Sequence, residues 1–180
     1  MSSLQYYVGA SLDGYIATPD DDLAWLLQFD GFEGGKESYD AFIEGVGCIV
    51  MGGETYRWLL EHEPGNWPYP TTPCWVFTHH EGTVPKDADI TFAHGDVRTF
   101  VGDLKADADG RNVWVVGGGN LAAQFADAGL LDELIVSVIP LILGDGKPLL
   151  PLRKPTQPLE LVSSAALGRG VVELRYRLNP

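Results

Sequence analysis

The stretch VWVVGGGNLA, residues Val113 to Ala122, joins the pattern of a buried strand to three consecutive glycines. The segment that follows has Leu121, Phe125 and Ala128 on one face of a helix. Glycine loses more conformational entropy on folding than other residues and leaves the backbone bare. Three glycines at a strand-to-helix turn therefore indicate that another interaction offsets this cost. An anionic ligand bound at the turn would provide such an interaction, because the unpaired N–H groups and the positive dipole end of a helix N-terminus attract negative charge.

A second stretch, CIVMGGETYRWL, repeats this pattern, with Gly52 and Gly53 between a strand and a helix. In a parallel sheet both turns lie at the carboxyl edge, where they could hold the two ends of one long nucleotide. The alternative is that both are merely tight turns. The G-x-G-x-x-A pattern of Gly117 to Ala122 does not indicate an orthodox Rossmann site, because the next strand ends in Ile139 and Pro140 without a ribose-binding carboxylate.

Strands alternate with helices through the middle of the chain, which predicts parallel βαβ units. The predicted strands are Leu4–Ala10, Cys48–Met51, Cys74–Thr78, Ile90–Ala93, Val113–Val116, Glu133–Ile139, Leu159–Ala165 and Val171–Leu178. The predicted helices lie at Asp21–Phe29, Lys36–Glu44, Glu54–Glu61, from an Asp96 N-cap to Leu104, and after Gly119. The pattern predicts a three-layer α/β/α domain over residues 1–180, with a mixed, mostly parallel sheet of about eight strands and a C-terminal antiparallel hairpin.

Composition excludes several functional classes. The net charge is −13 with only 12 lysines and arginines, which argues against nucleic acid binding. No apolar run is long enough for a membrane span and no signal peptide is recognisable, so we expect a cytoplasmic protein. Cys48 and Cys74 lie in apolar runs and are predicted to be buried free thiols. His79 and His80 point opposite ways in an extended segment, and we expect no metal site.

Four segments, in order, carry a family resemblance. They are SLDGYIA (11–17), MGGETY (51–56), VVGGGNLA (115–122) and PLILGDGKPLLP (140–151), followed by a final GVVELRYRL strand. Together they resemble the dihydrofolate reductase superfamily, in the branch related to the C-terminal reductase domain of bacterial riboflavin biosynthesis. The resemblance implies a dihydrofolate reductase-like fold, bound NADPH, a small-molecule substrate and, since related domains commonly pair, a homodimer.

The resemblance also assigns roles to particular residues. It places Ala10 and Ile16 beside the nicotinamide, and Thr78 and His79 near the adenosine phosphate. It places the pyrophosphate between two groups of residues, which are Gly52, Gly53 and Thr55 on one side and Gly117, Gly118, Gly119, Asn120 and Leu121 on the other. Asp22, before LAWL, resembles the carboxylate that dihydrofolate reductases carry early in their first helix. The predicted proton source is Asp22 or a water held nearby.

The predicted function is hydride transfer from NADPH to a small heteroaromatic compound, either a pteridine or folate, or a pyrimidine as in the riboflavin pathway. Three family features are absent: a basic residue at Gly53, a glutamate at Gly117 and a lysine at Tyr15. Without a basic residue at position 53, the preference for NADPH over NADH would depend on Arg57, His79 or His80. The missing glutamate and lysine favour an alternative function. In this alternative the chain is a non-catalytic nucleotide-binding protein that retains the two glycine turns, here called the cofactor cradle.

Overall fold

A mixed eight-stranded sheet organises the structure, a computed structural model that describes residues 2–80 and 82–178. The strands are β1 (Leu4–Ser11), β2 (Tyr15–Ala17), β3 (Val46–Gly52), β4 (Cys74–Phe77), β5 (Ile90–Ala93), β6 (Asn112–Gly117), β7 (Glu133–Ile139), β8 (Lys147–Pro148), β9 (Glu160–Ala166) and β10 (Val172–Arg177). The α-helices are α1 (Ala24–Leu27), α2 (Gly35–Glu44), α3 (Gly53–His62), α4 (Val101–Asp107) and α5 (Gly119–Asp127).

The strand order is β5-β4-β3-β6-β1-β7-β10-β9. The first six strands in this order pair in parallel, whereas β10 is antiparallel to both β7 and β9. The predicted mixed sheet and its terminal antiparallel hairpin are therefore confirmed. Because β1, β3, β4, β6 and β7 run in the same direction, their carboxyl ends all open onto one edge of the sheet.

Two apolar layers hold helices against the sheet. One core cluster joins Leu104 of α4 and Phe125 of α5 to inward residues of the central strands, such as Val50 and Val115. The other joins Phe42 of α2 and Tyr56 of α3 to the opposite face of the same strands. Since strand side chains alternate between faces, fully buried runs such as VGCIVM in β3 supply both layers.

Local structure departs from the sequence prediction at the first helix. The predicted helix over Asp21–Phe29 is wrong in length, because α1 has only four residues. Asp21 has a φ of +64°, which no helix allows, and Gly31 and Gly34 also adopt positive φ values. The predicted Asp96 N-cap is confirmed, since its carboxylate accepts the Arg98 N–H, although a 3₁₀ turn precedes α4.

Both cysteines are buried and unpaired, as predicted. Burial raises the pKa of the Cys48 and Cys74 thiols to about 12, so both are inert packing groups at neutral pH. Within the described ranges, no helix combines the length and apolarity that a bilayer crossing requires.

Candidate active site

The two glycine turns meet at the carboxyl edge of the sheet. Met51 of β3 is in register with Gly117 of β6, and a Cβ built on Gly52 would lie 3.8 Å from both the Gly117 oxygen and the Gly118 nitrogen. The turns border a cleft of about 870 Å³. The parallel sheet therefore places the two glycine turns side by side, as predicted.

Each turn leads directly into a helix. Gly52 precedes α3 and Gly118 precedes α5, and no side chain caps either helix. In α5 the Leu121 and Ala122 N–H groups donate to the Gly118 oxygen, which leaves the N–H groups of Gly119 and Asn120 for a ligand at the rim of the cleft. Two positive helix ends beside one cleft form an environment suited to a diphosphate, whose charge a single helix end balances only in part.

The three glycines of VVGGGN serve different purposes. A Cβ on Gly118 would meet no atom within 4 Å, so its bare face opens into the cleft. On Gly119, a Cβ would lie 2.3 Å from the Pro148 oxygen, which makes that glycine a packing requirement. Gly53 is similar, because a Cβ there would lie 2.9 Å from the Thr78 Oγ1 atom. Gly118 is thus the position where the missing side chain leaves space for a ligand.

The opposite wall comes from the SLDGYIA and LILGDGKPLLP segments. Strands β2 and β8 pair to form a small separate sheet, and Ile16, Lys147 and Pro148 line the cleft. Asp13 joins the two segments, because its carboxylate accepts the Leu143 and Gly144 N–H groups at 3.1 and 2.7 Å. The Ser11 hydroxyl, which also donates to Asp13, is the main cause that lowers its pKa.

Histidines mark the far end of the cleft. His79 follows β4 and His94 follows β5, and their ring centroids lie 6.1 Å apart. The charged side chains that line the cleft are Asp21, Glu54, Arg57, Glu61 and Lys147. Lys147 is 3.5 Å from Asp21, whereas Arg57 has no ion pair within the described part of the chain. The positive and imidazole groups that an anionic ligand would meet there are those of Arg57, Lys147, His79 and His94.

The structure brings most of the predicted residues together. Those that line the cleft are Ile16, Gly52, Gly53, Thr55, Thr78, His79, Gly117, Gly118, Gly119, Asn120 and Leu121. Ala10 is buried in the core that faces α4 and α5, and the neighbouring Val8 and Gly9 line the cleft instead.

Asp22 also lies outside the cleft lining. Its exposed carboxylate accepts the N–H of Ala24, the first residue of the short helix α1, at 3.0 Å. The preceding residue, Asp21, lines the cleft and pairs with Lys147. The geometry therefore places Asp22 just before α1, bonded to its first N–H, and the proton source predicted from the resemblance is not brought to the cleft.

Sequence reasoning missed several lining residues. Among them, Tyr7 and His94 line the cleft without having been assigned to it. A signal existed for His94, because it directly follows a strand adjacent to the one that His79 follows. Among residues 2–80 and 82–178, no three His, Cys, Asp or Glu side chains form a group that could hold a metal ion.

Relatives share the whole length of the chain. YwjB of Bacillus subtilis (strain 168), an uncharacterised protein, is 34% identical over 170 residues, which cover 94% of both chains. YyaP of the same organism, also uncharacterised, is 25% identical over 182 residues, covering 96% of this chain and 93% of YyaP.

Solved structures show the same fold. A putative riboflavin biosynthesis protein from Shewanella sp. PV-4 superposes with a TM-score of 0.80 at 26% identity, and covers 98% of both chains. Dihydrofolate reductase from Enterococcus faecalis, solved with NADP(H), has a TM-score of 0.63 at 16% identity, covering 99% of this chain and 97% of its own. The model of the RibD C-terminal domain matches residues 3–173. The cleft-bearing fold and this nearly full-length match show that the chain belongs to the RibD C-terminal domain family.

Proposed function

We propose that this protein is an NADPH-dependent reductase that transfers a hydride to a small heteroaromatic compound of the pteridine or pyrimidine type. One observation carries the proposal: two uncapped helix N-termini converge on one cleft, and the glycine between them, Gly118, presents bare backbone to open space. Family membership supports it, because the related proteins solved so far include reductases.

The residues present fit a dinucleotide. The N–H groups at the starts of α3 and α5 would bind its pyrophosphate, with Thr55 between them. When bound, NADPH supplies a hydride from C4 of its nicotinamide. Ile16, Leu23 and Leu26 give the inner end of the cleft an apolar wall. This wall would exclude water and orient the reacting ring.

The test is substrate-dependent oxidation of NADPH across a panel of pterins, folates and pyrimidines, followed by loss of nicotinamide absorbance. Turnover with any ring of this class supports the proposal. Tight NADPH binding without turnover would instead support a nucleotide-binding protein that kept the cradle, a function favoured by Tyr15 and Gly117 where the family carries lysine and glutamate. Absence of NADPH binding would contradict both.

The preference for NADPH over NADH should depend on pH. His79, His94 and Arg57 line the cleft, whereas Arg98 is paired with Asp96. Histidines gain positive charge as pH falls through the range of about 5 to 8, so their attraction for a 2′-phosphate is stronger at low pH. We expect the ratio of NADH to NADPH dissociation constants to fall about tenfold, or ~1.4 kcal/mol, from pH 6 to pH 8.

The control for that titration is the neighbouring His80, which is exposed and lies outside the cleft lining. His94→Gln should flatten the pH dependence, whereas His80→Gln should leave it unchanged. A pH-independent ratio in the native protein, or an effect of the His80 variant equal to that of His94→Gln, would show that the imidazoles do not contact the phosphate.

The chain is also proposed to form a homodimer through β9. This edge strand is exposed along all seven residues, and Glu160 is its one charged residue. Leu161 and Val162 are 52% and 42% exposed. Edge strands of monomers usually carry lysine, proline or a bulge against pairing; β9 has neither lysine nor proline, and its only such feature is a register shift against β10 between Arg175 and Tyr176. Two copies of β9 in antiparallel contact would cover the exposed groups.

Light scattering should therefore report a dimer whose population rises with salt, because each copy carries a net charge of −13. Val162→Lys should shift the protein to monomer by placing a charge on the edge strand. The matched control is Ile142→Lys, which alters a side chain that is 68% exposed on another segment. A monomer at all protein concentrations would refute this interface.

A further inference from the structure

The two glycine turns of the cleft carry no positive side chain. Their residues are Gly52, Gly53 and Glu54 at the start of α3, and Gly117 to Asn120 at the start of α5. Glu54 adds a negative charge in the first turn of α3, and the whole chain carries a net charge of −13. Because each helix N-terminus is equivalent to about half a positive charge, the backbone balances a pyrophosphate only in part. A cation from another segment would complete the site.

Four basic or imidazole side chains line the cleft among the described residues, and they differ in position relative to the turns. His79 follows β4 and His94 follows β5, which lie one and two strands beyond β3 in the sheet. Since adjacent strands are about 4.8 Å apart, both imidazoles are displaced toward the outer edge. Arg57 has an acidic neighbour three residues before it and another four residues after it on α3. The fourth side chain is Lys147, on the opposite wall.

Lys147 lies beside the start of α5. The carbonyl oxygen of its neighbour in β8, Pro148, would be 2.3 Å from a Cβ built on Gly119, so β8 packs on the first residue of α5. Consecutive Cα atoms are about 3.8 Å apart, so the Lys147 backbone is one such step from this contact. Its flexible four-carbon side chain can bring the ammonium group to an anion held by the N–H groups of Gly119 and Asn120.

In the structure the Lys147 ammonium group has another partner, Asp21. Lys147 Nζ lies 3.5 Å from Asp21 Oδ1, and the two side chains are 41% and 54% exposed. Lys147 pairs with Ala17 of β2, and the turn that follows holds Asp21, whose N–H donates to the Thr18 oxygen at 3.1 Å. An ion pair that is exposed to this degree contributes little to stability. Lys147 can therefore exchange Asp21 for a phosphate, which is a stronger anionic acceptor.

We propose that Lys147 binds the pyrophosphate of the nicotinamide dinucleotide and leaves Asp21 to do so. NADPH and NADH share this group, so the contact adds affinity for both without distinguishing them. Asp21 acts as a competing anion, which lowers the affinity of the free cleft for the cofactor. The inference rests on the proposed reductase function. It assigns the cation of the pyrophosphate site to β8, the short strand that pairs with β2, and not to either glycine turn.

The test measures the dissociation constants of NADPH and NADH for the intact protein by nucleotide fluorescence titration at one salt concentration. Lys147→Met keeps the length of the side chain but removes its charge. It should weaken the binding of both nucleotides by the same factor, at least about tenfold, because a hydrogen bond between charged groups is lost. Lys147→Arg keeps the charge and should bind within about threefold of the native protein. The matched control is Lys154→Met, at an exposed position outside the cleft lining, which should bind normally.

Asp21→Asn should act in the opposite direction. Asparagine tolerates the φ of +64° at this position, so the turn is retained while the competing charge is removed. Both nucleotides should bind about threefold more tightly, since an exposed pair no longer has to be broken. If the ion pair only held the cleft wall in place, both Asp21→Asn and Lys147→Met would weaken binding. The control is Asp20→Asn, which removes a neighbouring charge outside the cleft lining and should leave binding unchanged.

Thermal melting of the same samples identifies the variants that are folded. The inference is overturned if folded Lys147→Met binds NADPH as tightly as the native protein, or if Asp21→Asn binds with unchanged or weaker affinity. It is also overturned if Lys147→Met weakens the binding of NADPH alone, because the lysine would then contact the 2′-phosphate. A native protein that binds neither nucleotide would instead overturn the reductase proposal.

Discussion

Gly118→Val is expected to abolish NADPH binding while the protein stays folded. A Cβ at this position meets nothing within 4 Å, and the backbone has φ −81° and ψ 177°, an extended conformation that valine adopts readily. The branched side chain would project into the cleft, into the space that the proposed function assigns to the pyrophosphate at the start of α5. We expect the dissociation constant for NADPH to rise at least about 100-fold, or ~2.7 kcal/mol.

The control is Gly102→Val in α4, where an added Cβ also meets nothing within 4 Å but lies outside the cleft lining. Nucleotide fluorescence titration and thermal melting on both variants separate loss of binding from loss of folding. If folded Gly118→Val binds NADPH as tightly as the native protein, the glycine cradle does not hold the cofactor.

Gly119→Ala should act on stability instead. Alanine is favoured over glycine within helices by about 1 kcal/mol, so helix propensity alone predicts a more stable protein. The added Cβ, however, would lie 2.3 Å from the Pro148 oxygen. That segment cannot easily move, because Leu149 donates its N–H to Gly14 and accepts the Tyr6 hydroxyl. Overpacking costs about 1–3 kcal/mol or more, and here it should exceed the gain in propensity.

We therefore expect a net loss of about 2 kcal/mol and a melting temperature lower by about 4–8 °C. Gly102→Ala, an exposed helical glycine with open space around it, should change stability in the opposite direction. Scanning calorimetry of the two alanine variants gives both signs directly. A higher melting temperature for Gly119→Ala would mean that the turn before α5 does not pack against Pro148.

Neighbouring glycines thus have separate roles that their shared motif conceals. Gly118 leaves space for a ligand, whereas Gly119 leaves space for the protein's own backbone. The sequence indicates only that side chains are absent at this turn. Whether ligand or protein occupies the vacated space depends on a segment about thirty residues further along, which contributes Pro148.

The sequence by itself determined the fold class and most of the cradle. Short apolar runs bounded by glycine, such as CIVM and VWVV, indicate parallel strands covered on both faces, and glycines at the carboxyl ends of parallel strands lie on one edge of the sheet. Ile16, Thr55 and Thr78, which motif order assigned to the cofactor, line the cleft, because each lies within a few residues of a strand end. These features are local, so local patterns encode them.

Only the tertiary structure decided which polar side chains meet. Asp22 resembles a catalytic carboxylate in its local sequence, yet a positive φ at Asp21 and the short helix α1 leave it outside the cleft. The hydrogen bond from the Tyr7 hydroxyl to Glu173 has no local signal either, because the two residues are 166 positions apart and come into contact through the pairing of β1, β7 and β10. The physical reason is register: a shift of one residue in a strand turns a side chain to the opposite face.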